Sequence, residues 1–283
     1  MNRMVVIALV GTLVGCLGSV AKAAPFAPTQ RLSLSGQAGL GSIGMKDVNA
    51  EIGRGNAFLT TQTWSTLDDL KSNFLFRGDL RYNAYGSWSV SAGISRGVAS
   101  SGVDFDQVIE VKPSATIYRG AVSYQLPWWV KEKIRFALGG GIDHTSNARV
   151  EVSHEHRNVE AGTIRIETLT LEGSGTGAHG FLESELLVSE SISLVSDVGW
   201  RQLKVSTDSF RWKIERVENP DLDQDRDDVP NGSDLSDNSF LRHGFLPPGL
   251  VNSPGDIRIL EPDKVDLDFS GIQASVGLRF YLF

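Results

Sequence analysis

The stretch "GLRFYLF" at residues 277–283 alternates apolar and polar side chains. The alternation continues backward to Ile272, so that every second side chain lies on one face of an extended strand. The apolar face carries Ile272, Ala274, Val276, Leu278, Phe280 and Leu282. The other face is mixed and largely polar, with Gln273, Ser275, Gly277, Arg279 and Tyr281. A period of two with one apolar face predicts a β-strand that meets apolar surroundings on one side only.

Seven earlier segments repeat this alternation. They begin at Leu32, Phe74, Trp88, Tyr118, Ile134, Ala178 and Ile192. Each is about the 9–11 residues that a tilted strand needs to cross a bilayer. With the closing strand, the sequence therefore predicts eight strands of this kind.

The connections between these segments alternate between short and long. The short ones are 83–87, 127–133 and 189–191, and the long ones are roughly 42–72, 97–115, 143–176 and 202–266. Outer-membrane barrels have short periplasmic turns and long extracellular loops. The predicted fold class is therefore all-β, an eight-stranded antiparallel up-and-down transmembrane β-barrel with short periplasmic turns and long extracellular loops.

Charged residues on the polar faces favour the same architecture. They include Arg77, Asp79, Arg81, Asp197 and Arg201. An ion facing hydrocarbon costs about 2–4 kcal/mol at mid-depth, so these side chains are expected to point inward and pair across a narrow lumen. The alternative is a soluble β-sandwich, which also has short alternating strands but does not account for the asymmetry of turns and loops.

The first residues have the features of an export signal. A positive start at Met1 to Arg3 precedes an apolar run, and "AKA" at 21–23 matches a cleavage site with small residues. This predicts a signal peptide at 1–23 and a mature barrel at 24–283. The alternative is the lipobox-like "LVGC" at 13–16, which would make Cys16 a lipidated N-terminus. The formal charge of −7 argues against nucleic acid as a partner.

The closing stretch also carries a family resemblance. "SVGLRFYLF" at 275–283 resembles the C-terminal assembly signal of outer-membrane barrels, with Gly277, Phe280 and Leu282 at matching positions and Phe283 as the final aromatic residue. In layout, the chain is similar to the small OmpA/OmpX-type barrels. The resemblance implies a bacterial outer-membrane location, recognition by the barrel-assembly machinery, and contact with outer-membrane lipid and lipopolysaccharide.

An acidic run in the last long connection suggests a metal site. In "DLDQDRDDVPNGSD" at 221–234, the spacing of oxygen donors matches positions one, three, five, nine and twelve of a calcium-binding loop. These positions are Asp223, Asp225, Asp227, Asn231 and Asp234. The run resembles thrombospondin type 3-like calcium repeats, although Asp228 stands where those repeats have a turn glycine. The alternative is an acidic solvated loop without an ion.

A second motif suggests catalysis. "HTSNA" at 144–148 keeps His144 and Ser146 in phase with the apolar face of the fifth strand. It is similar to the H-x-S-N-A motif of the outer-membrane lipid A deacylases, in which a His and Ser pair attacks an acyl ester. Such a pair needs an acid to orient the imidazole, and Glu151, Glu155 and Glu160 follow in the sequence.

Residues 148–172 alternate as a hairpin with a turn near 160–162. Because charges occur on both faces, the hairpin is predicted to be solvent-exposed on both sides. The function predicted from the sequence is that of a non-enzymatic outer-membrane β-barrel with a structural or adhesion-type role and a calcium-binding acidic loop. The alternative is a lipid A acyl-ester hydrolase that uses His144 and Ser146.

Overall fold

The computed structural model describes most of the chain from Arg31 onward. The described residues are 31–61, 65–85, 87–104, 107–130, 133–158, 163–218, 256–260 and 266–282. The strands are β1 Leu32–Ser42, β2 Ser72–Tyr85, β3 Trp88–Val98, β4 Ser101–Asp104, β5 Gln107–Val130, β6 Ile134–Asn158, β7 Thr163–Leu187, β8 Ile192–Gln202, β9 Lys204–Glu218, β10 Asp256–Leu260, β11 Asp266–Asp268 and β12 Gly271–Tyr281. A single helix in this part of the chain, α1, spans Lys46–Thr61.

Eight strands close into a ring through antiparallel pairing. Strand β1 pairs with β2, which pairs with β3, and the order continues through β5, β6, β7 and β8 to β12. Strand β12 then pairs with β1 from Gln273 to Tyr281, which closes the ring. The prediction of an all-β antiparallel fold with eight strands in a ring is confirmed, and the closing strand includes residues 277–281 of "GLRFYLF".

Three of the eight strands, β5, β6 and β7, are long enough to continue past the closed ring into a second sheet. We call "the ring" β1, β2, β3, β8 and β12 with residues 118–130, 134–145 and 176–187. We call "the upper sheet" β4, β9, β10 and β11 with residues 107–117, 146–158 and 163–175. Within it, β7 leaves β8 and pairs with β9, β4 pairs with β5, and β10 and β11 both pair with β9. The three short connections all lie at the opposite end of the ring.

Helix α1 lies within residues 42–72, a range that the sequence predicted to be a long loop. Val48, Ile52, Gly55 and Leu59 are buried and recur at the spacing of one helix face. The other predicted loop ranges also contain strand structure, because β4, β9, β10, β11 and the long ends of β5, β6 and β7 fall within them. In the described part of the chain, no helix has both the length and the apolar character that crossing a bilayer would require.

The predicted exposure of the 148–172 hairpin is wrong on one face. Val150, Val152 and Leu169 are fully buried, and Leu171 nearly so. They pack in one apolar core with Val48 and other buried residues of α1. One face of the hairpin is therefore buried and largely apolar, and α1 helps to cover it. The other face is charged and meets solvent.

Candidate functional site

The outer wall of the ring is apolar and exposed. Its most exposed large side chains, between 44% and 67% accessible, are Leu34, Phe74, Phe76, Leu80, Trp88, Val90, Ile94, Tyr118, Val122, Leu138, Ile142, Leu182, Val198, Trp200, Ile272 and Leu278. They occur on all eight strands, so the apolar surface continues around the ring. We call this surface "the belt". A continuous apolar surface of this kind marks contact with an apolar environment or partner.

The inner wall of the ring is ionic and buried. It holds Arg77, Asp79, Arg81, Arg119, Arg135, Asp143, His179, Glu183, Glu185, Asp197, Arg201 and Arg279. Where one strand contributes several of these residues, they occupy alternate positions, as period-two alternation requires. The five inward charges predicted from the sequence are all among them.

Glu183 and Glu185 form the centre of the lower ionic cluster. Glu183 accepts hydrogen bonds from Arg81 and from Arg279, with nitrogen–oxygen distances of 2.7–2.9 Å. Glu185 accepts from Arg135 at 2.7 Å and from Arg279 at 2.8 Å. Arg279 therefore joins two carboxylates while being almost completely buried. The sequence placed these residues on the polar face but did not indicate who pairs with whom.

A second cluster lies closer to the upper sheet. The Nε atom of Arg77 forms an ion pair with Asp79, 2.7 Å from its Oδ2 atom, and the Nη2 atom of Arg77 donates a hydrogen bond to Asp197. Arg201 donates to Asp143 Oδ2 at 2.8 Å. The sequence predicted that the five inward charges pair with one another, and this holds for Arg77 but not for Arg201, whose partner belongs to β6.

Close packing fills the space that remains in the lumen. The ring of Phe181 lies against Gly139, where an added Cβ would come within 2.4 Å of Phe181 Cζ. Only glycine therefore allows the phenyl ring this position. Between the two ionic clusters there is a cavity of about 10 Å³, which is about the space of one water molecule.

Side-chain polarity reverses along β6 where the ring meets the upper sheet. Below the border, Ile142 points outward at 67% exposure and Asp143 points inward with none. Above it, Val150 points inward and is fully buried, and Arg149 points outward. Between the pairs Tyr118–His144 and Ser114–Arg149, β6 advances five residues and β5 only four. This β-bulge shifts the inward positions from odd to even numbers.

The same reversal occurs where β8 continues into β9. Trp200 is outward and half exposed, whereas Arg201 is inward and buried. Two residues further on, Leu203 and then Val205 are fully buried, and Lys204 faces outward. The belt and the ionic lumen therefore end at the same level of the fold.

Helix α1 is held above the lumen by two asparagine side chains. Asn49 donates to the carbonyl of Leu70 at 3.0 Å and accepts from its N–H at 2.8 Å. Asn56 makes the same pair of bonds with Leu67, both at 2.9 Å. Because Leu67 and Leu70 are buried in the same core as the helix, α1 and the segment after it are packed as one unit.

His144 and Ser146 are exposed on the outer wall at the upper border of the belt. Ser146 lines a cavity of about 380 Å³ together with Arg96, Arg149 and Glu172. The Nδ1 atom of His144 lies 3.1 Å from Thr176 Oγ1. Within the described residues, no hydrogen bond joins His144 to Ser146. The two residues of the predicted catalytic pair thus lie on the same outer wall but are not hydrogen-bonded to each other. Their catalytic role stays a prediction.

Other residues predicted to be functional lie outside the described residues. They are the signal segment 1–23 with Cys16, the candidate orienting acid Glu160, the terminal Phe283, and the calcium ligands Asp223, Asp225, Asp227, Asn231 and Asp234. Strand β9 ends at Glu218 and β10 begins at Asp256. The acidic run therefore connects two strands of the upper sheet.

No family model and no curated protein matches the sequence. Among solved structures, the chain is similar to the crystal structure of the outer membrane protease OmpT from Escherichia coli, with a TM-score of 0.31 and 7% sequence identity. The match covers 92% of this chain and 99% of that chain. A TM-score this low carries no argument about fold or activity, so the interpretation depends on the strand pairing and side chains of the chain itself.

Proposed function

We propose that the protein spans the bacterial outer membrane as a closed, non-conducting barrel and presents the upper sheet outside the cell for a structural or adhesion-type interaction. The observation that carries this proposal is the reversal of polarity at one level of the fold. Below that level the outside is apolar and the inside is ionic. Above it the outside is charged and the inside is largely apolar, with His154 and Glu167 as buried polar residues on that face.

The height of the belt supports a lipid environment. On β12 the outward residues run from Ile272 to Leu282, ten residue steps and roughly 34 Å of strand. At the tilt of about 40° that is usual for such barrels, this corresponds to about 26 Å along the axis. The apolar band of outer-membrane barrels is about 25 Å tall. In water, a belt of this size would be an aggregation surface, whereas acyl chains cover it without cost.

The contents of the lumen argue against a pore. Conduction needs a continuous water-filled path, but the cavity among the ionic clusters and Phe181 has a volume of about 10 Å³, the space of about one water molecule. Above the clusters, the apolar core of α1 and the upper sheet forms a second barrier. Diffusion of a solute through the barrel would require both barriers to move. The exposed upper sheet is therefore proposed as the region that contacts a partner.

The outward face of the upper sheet is suited to water and to polar partners. Lys112 pairs with Glu110 at 2.6 Å, and Arg149 pairs with Glu151. Both pairs are partly exposed. Each pair joins two residues at alternate positions of one strand, β5 for the first pair and the neighbouring β6 for the second. The acidic run 221–234 is proposed to bind calcium through Asp223, Asp225, Asp227, Asn231 and Asp234 with millimolar affinity.

Two measurements on the full-length purified protein test the proposal. The folded barrel is expected to migrate differently on a gel before and after heating, and to be recovered with outer membranes. In planar bilayers it is expected to give no conductance steps. Stable folding in aqueous buffer without detergent would overturn the membrane location, and regular single-channel steps would overturn the closed lumen.

Calcium binding is tested on the same preparation by isothermal titration. Saturable binding in the millimolar range is expected, and Asp225→Asn with Asp227→Asn should abolish it. Magnesium is the matched control, because its smaller octahedral shell does not fit a loop with this many oxygen ligands. Absence of calcium uptake up to about 10 mM would leave the run as a solvated acidic loop.

The position of His144 and Ser146 favours one second candidate, a lipid A acyl-ester hydrolase. Both side chains lie where the belt ends, at the depth where a lipid ester linkage meets the headgroup. For catalysis His144 would have to accept a proton from Ser146, and Glu172 lines the same cavity as Ser146. Mass analysis of lipid A from cells with the wild-type protein or Ser146→Ala decides this: acyl loss that needs Ser146 would establish the enzyme.

A further inference from the structure

The inner wall of the ring carries more positive than negative charge. Six arginines point inward: Arg77, Arg81, Arg119, Arg135, Arg201 and Arg279. Five carboxylates face them: Asp79, Asp143, Glu183, Glu185 and Asp197. Among the side chains that the structure describes on the ring strands, the other ionisable inward groups are Tyr281 and His179, and His179 cannot add negative charge. One buried cation therefore has no carboxylate of its own, and an uncompensated buried charge is strongly destabilising.

The geometry identifies this cation as Arg119. Each of the other five arginines has a carboxylate oxygen within 2.8 Å of a guanidinium nitrogen. The nearest carboxylate oxygen to Arg119 is Asp143 Oδ1, 4.0 Å from its Nε atom. That same carboxylate is held by Arg201 and lies 2.8 Å from His179 Nδ1. Arg119 is almost fully buried, so bulk water does not screen its charge.

Three arginines that have unused donors line the same cavity in the lumen. Arg119 Nη1, Arg81 Nε and Arg279 Nε are buried nitrogens without a hydrogen-bond partner among the protein groups described. All three arginines line the cavity of about 10 Å³ between the ionic clusters. Asp79 and Glu183 also line it, but their oxygens are already engaged by Arg77 and by Arg81 and Arg279. The cavity therefore offers donors and a net positive charge.

We propose that this cavity binds a single small monovalent anion, with chloride as the physiological occupant. A halide accepts hydrogen bonds from several donors at once and neutralises the excess charge of Arg119. A water molecule in the same place would leave the charge uncompensated. Phosphate and sulfate need several times the space of one water molecule and do not fit. The site depends only on the side chains of the ring, so it goes beyond the proposed function.

Anomalous diffraction from crystals grown in bromide tests the site directly. The full-length barrel is crystallised from detergent with bromide as the only halide. An anomalous peak among Arg81, Arg119 and Arg279 is expected, with each of the three guanidinium groups within contact distance. Ordered density there without an anomalous signal would mean that only water occupies the cavity, and the proposal would be wrong.

Stability in solution gives a second test with a matched control. Replacing gluconate by chloride at constant ionic strength is expected to raise the unfolding midpoint of the detergent-folded protein on the order of 5 °C at a hundredfold excess over the Kd. Arg119→Gln should remove this dependence on chloride. Arg96→Gln changes the same residue type on the outer wall near the same height, and should keep it.

If Arg119→Gln does not fold, Arg119→Lys retains the charge and serves instead. This variant is expected to keep a chloride response, but with a higher midpoint chloride concentration, because an ammonium group still attracts the ion. An equal chloride effect, with the same midpoint concentration, in wild type and Arg119→Lys would contradict the site. Conductance plays no part in these measurements, so failure here leaves the closed-barrel proposal standing.

Discussion

The ring and the upper sheet are built from the same strands but obey opposite rules. On β5, β6 and β7, one continuous backbone carries apolar residues outward in the ring and inward in the upper sheet. Backbone pairing is antiparallel throughout, so secondary structure does not distinguish the two regions. The difference is the direction of the apolar side chains: in the upper sheet they pack together inside, as in a protein in water, whereas in the ring they point outward, as our proposal of a lipid environment requires.

The largest expected effect comes from removing a charge inside the ring. Glu183→Leu leaves Arg81 and Arg279 without their shared carboxylate and raises the positive excess of the lumen. Loss of one partner of a buried ion pair costs about 3–5 kcal/mol. Urea unfolding of the refolded protein in detergent measures this loss.

The matched control is the same substitution on the outer face of the upper sheet. Glu151 pairs with Arg149 at the surface, so Glu151→Leu is expected to change stability only slightly. If both variants lost the same stability, the inward charges would not be buried pairs, and the contrast between the two regions would disappear.

The second effect is confined to the upper sheet. Leu169 is fully buried in the core that α1 covers, and Leu169→Ala is expected to cost about 2–5 kcal/mol. Because the ring has a separate set of interactions, its heat-dependent gel mobility should not change. Limited proteolysis should then cut within 148–172 in this variant before it cuts the ring.

Thr168→Ala, on the neighbouring outward position, is the control for this variant and should resist protease like the wild type. Simultaneous loss of the ring's gel mobility and the protease resistance of the hairpin would show that the two regions unfold as one. In that case the polarity border would not be a boundary of stability.

The third variant tests the belt itself. Leu138 is 57% exposed at the middle of the ring. If this face met water, the leucine could be replaced without loss of stability. In lipid vesicles, Leu138→Arg is expected to cost about 2–4 kcal/mol because the guanidinium faces hydrocarbon. Unfolding by guanidinium chloride from vesicles measures this cost.

Ser153→Arg places the same charge on the outward face of the same strand, above the border. There the arginine meets water, and the expected change is within about 0.5 kcal/mol. An equally harmless Leu138→Arg in vesicles would mean that the belt does not face lipid.

Much of the ring could be predicted from the sequence, because an apolar outer wall and an ionic inner wall require strict period-two alternation. Arg77 and Asp197 were correctly placed inside for an energetic reason, the cost of an ion in hydrocarbon. Their partners could not be predicted. Arg81 and Glu183 are 102 residues apart, and only the closure of the ring and its register bring them together.

The upper sheet was harder to predict for two physical reasons. The bulge between Thr145 and Ala148 shifts the phase of β6, so that a reading continued from the ring places Val150 on the wrong face. Helix α1 interrupts a series of strands, and its signal is a different period, with Val48 and Ile52 one helical turn apart. A search for a 3.6-residue period within the predicted loop 42–72 would have found it.

The smallest expected effect concerns the contact between α1 and the segment that follows it. Asn49→Ala removes a side chain that both donates to and accepts from the backbone of Leu70, which leaves the N–H and the carbonyl of this buried residue without those bonds. The expected cost is about 1–3 kcal/mol. Hydrogen exchange should detect it as faster exchange of α1 and 65–71, while the strands of the ring keep their protection. Thr60→Ala, at an exposed position that bonds only within the helix, is the control. Faster exchange throughout the ring after Asn49→Ala would mean that α1 supports the barrel itself, and the ring could then no longer be treated as stable independently of the water-facing part above it.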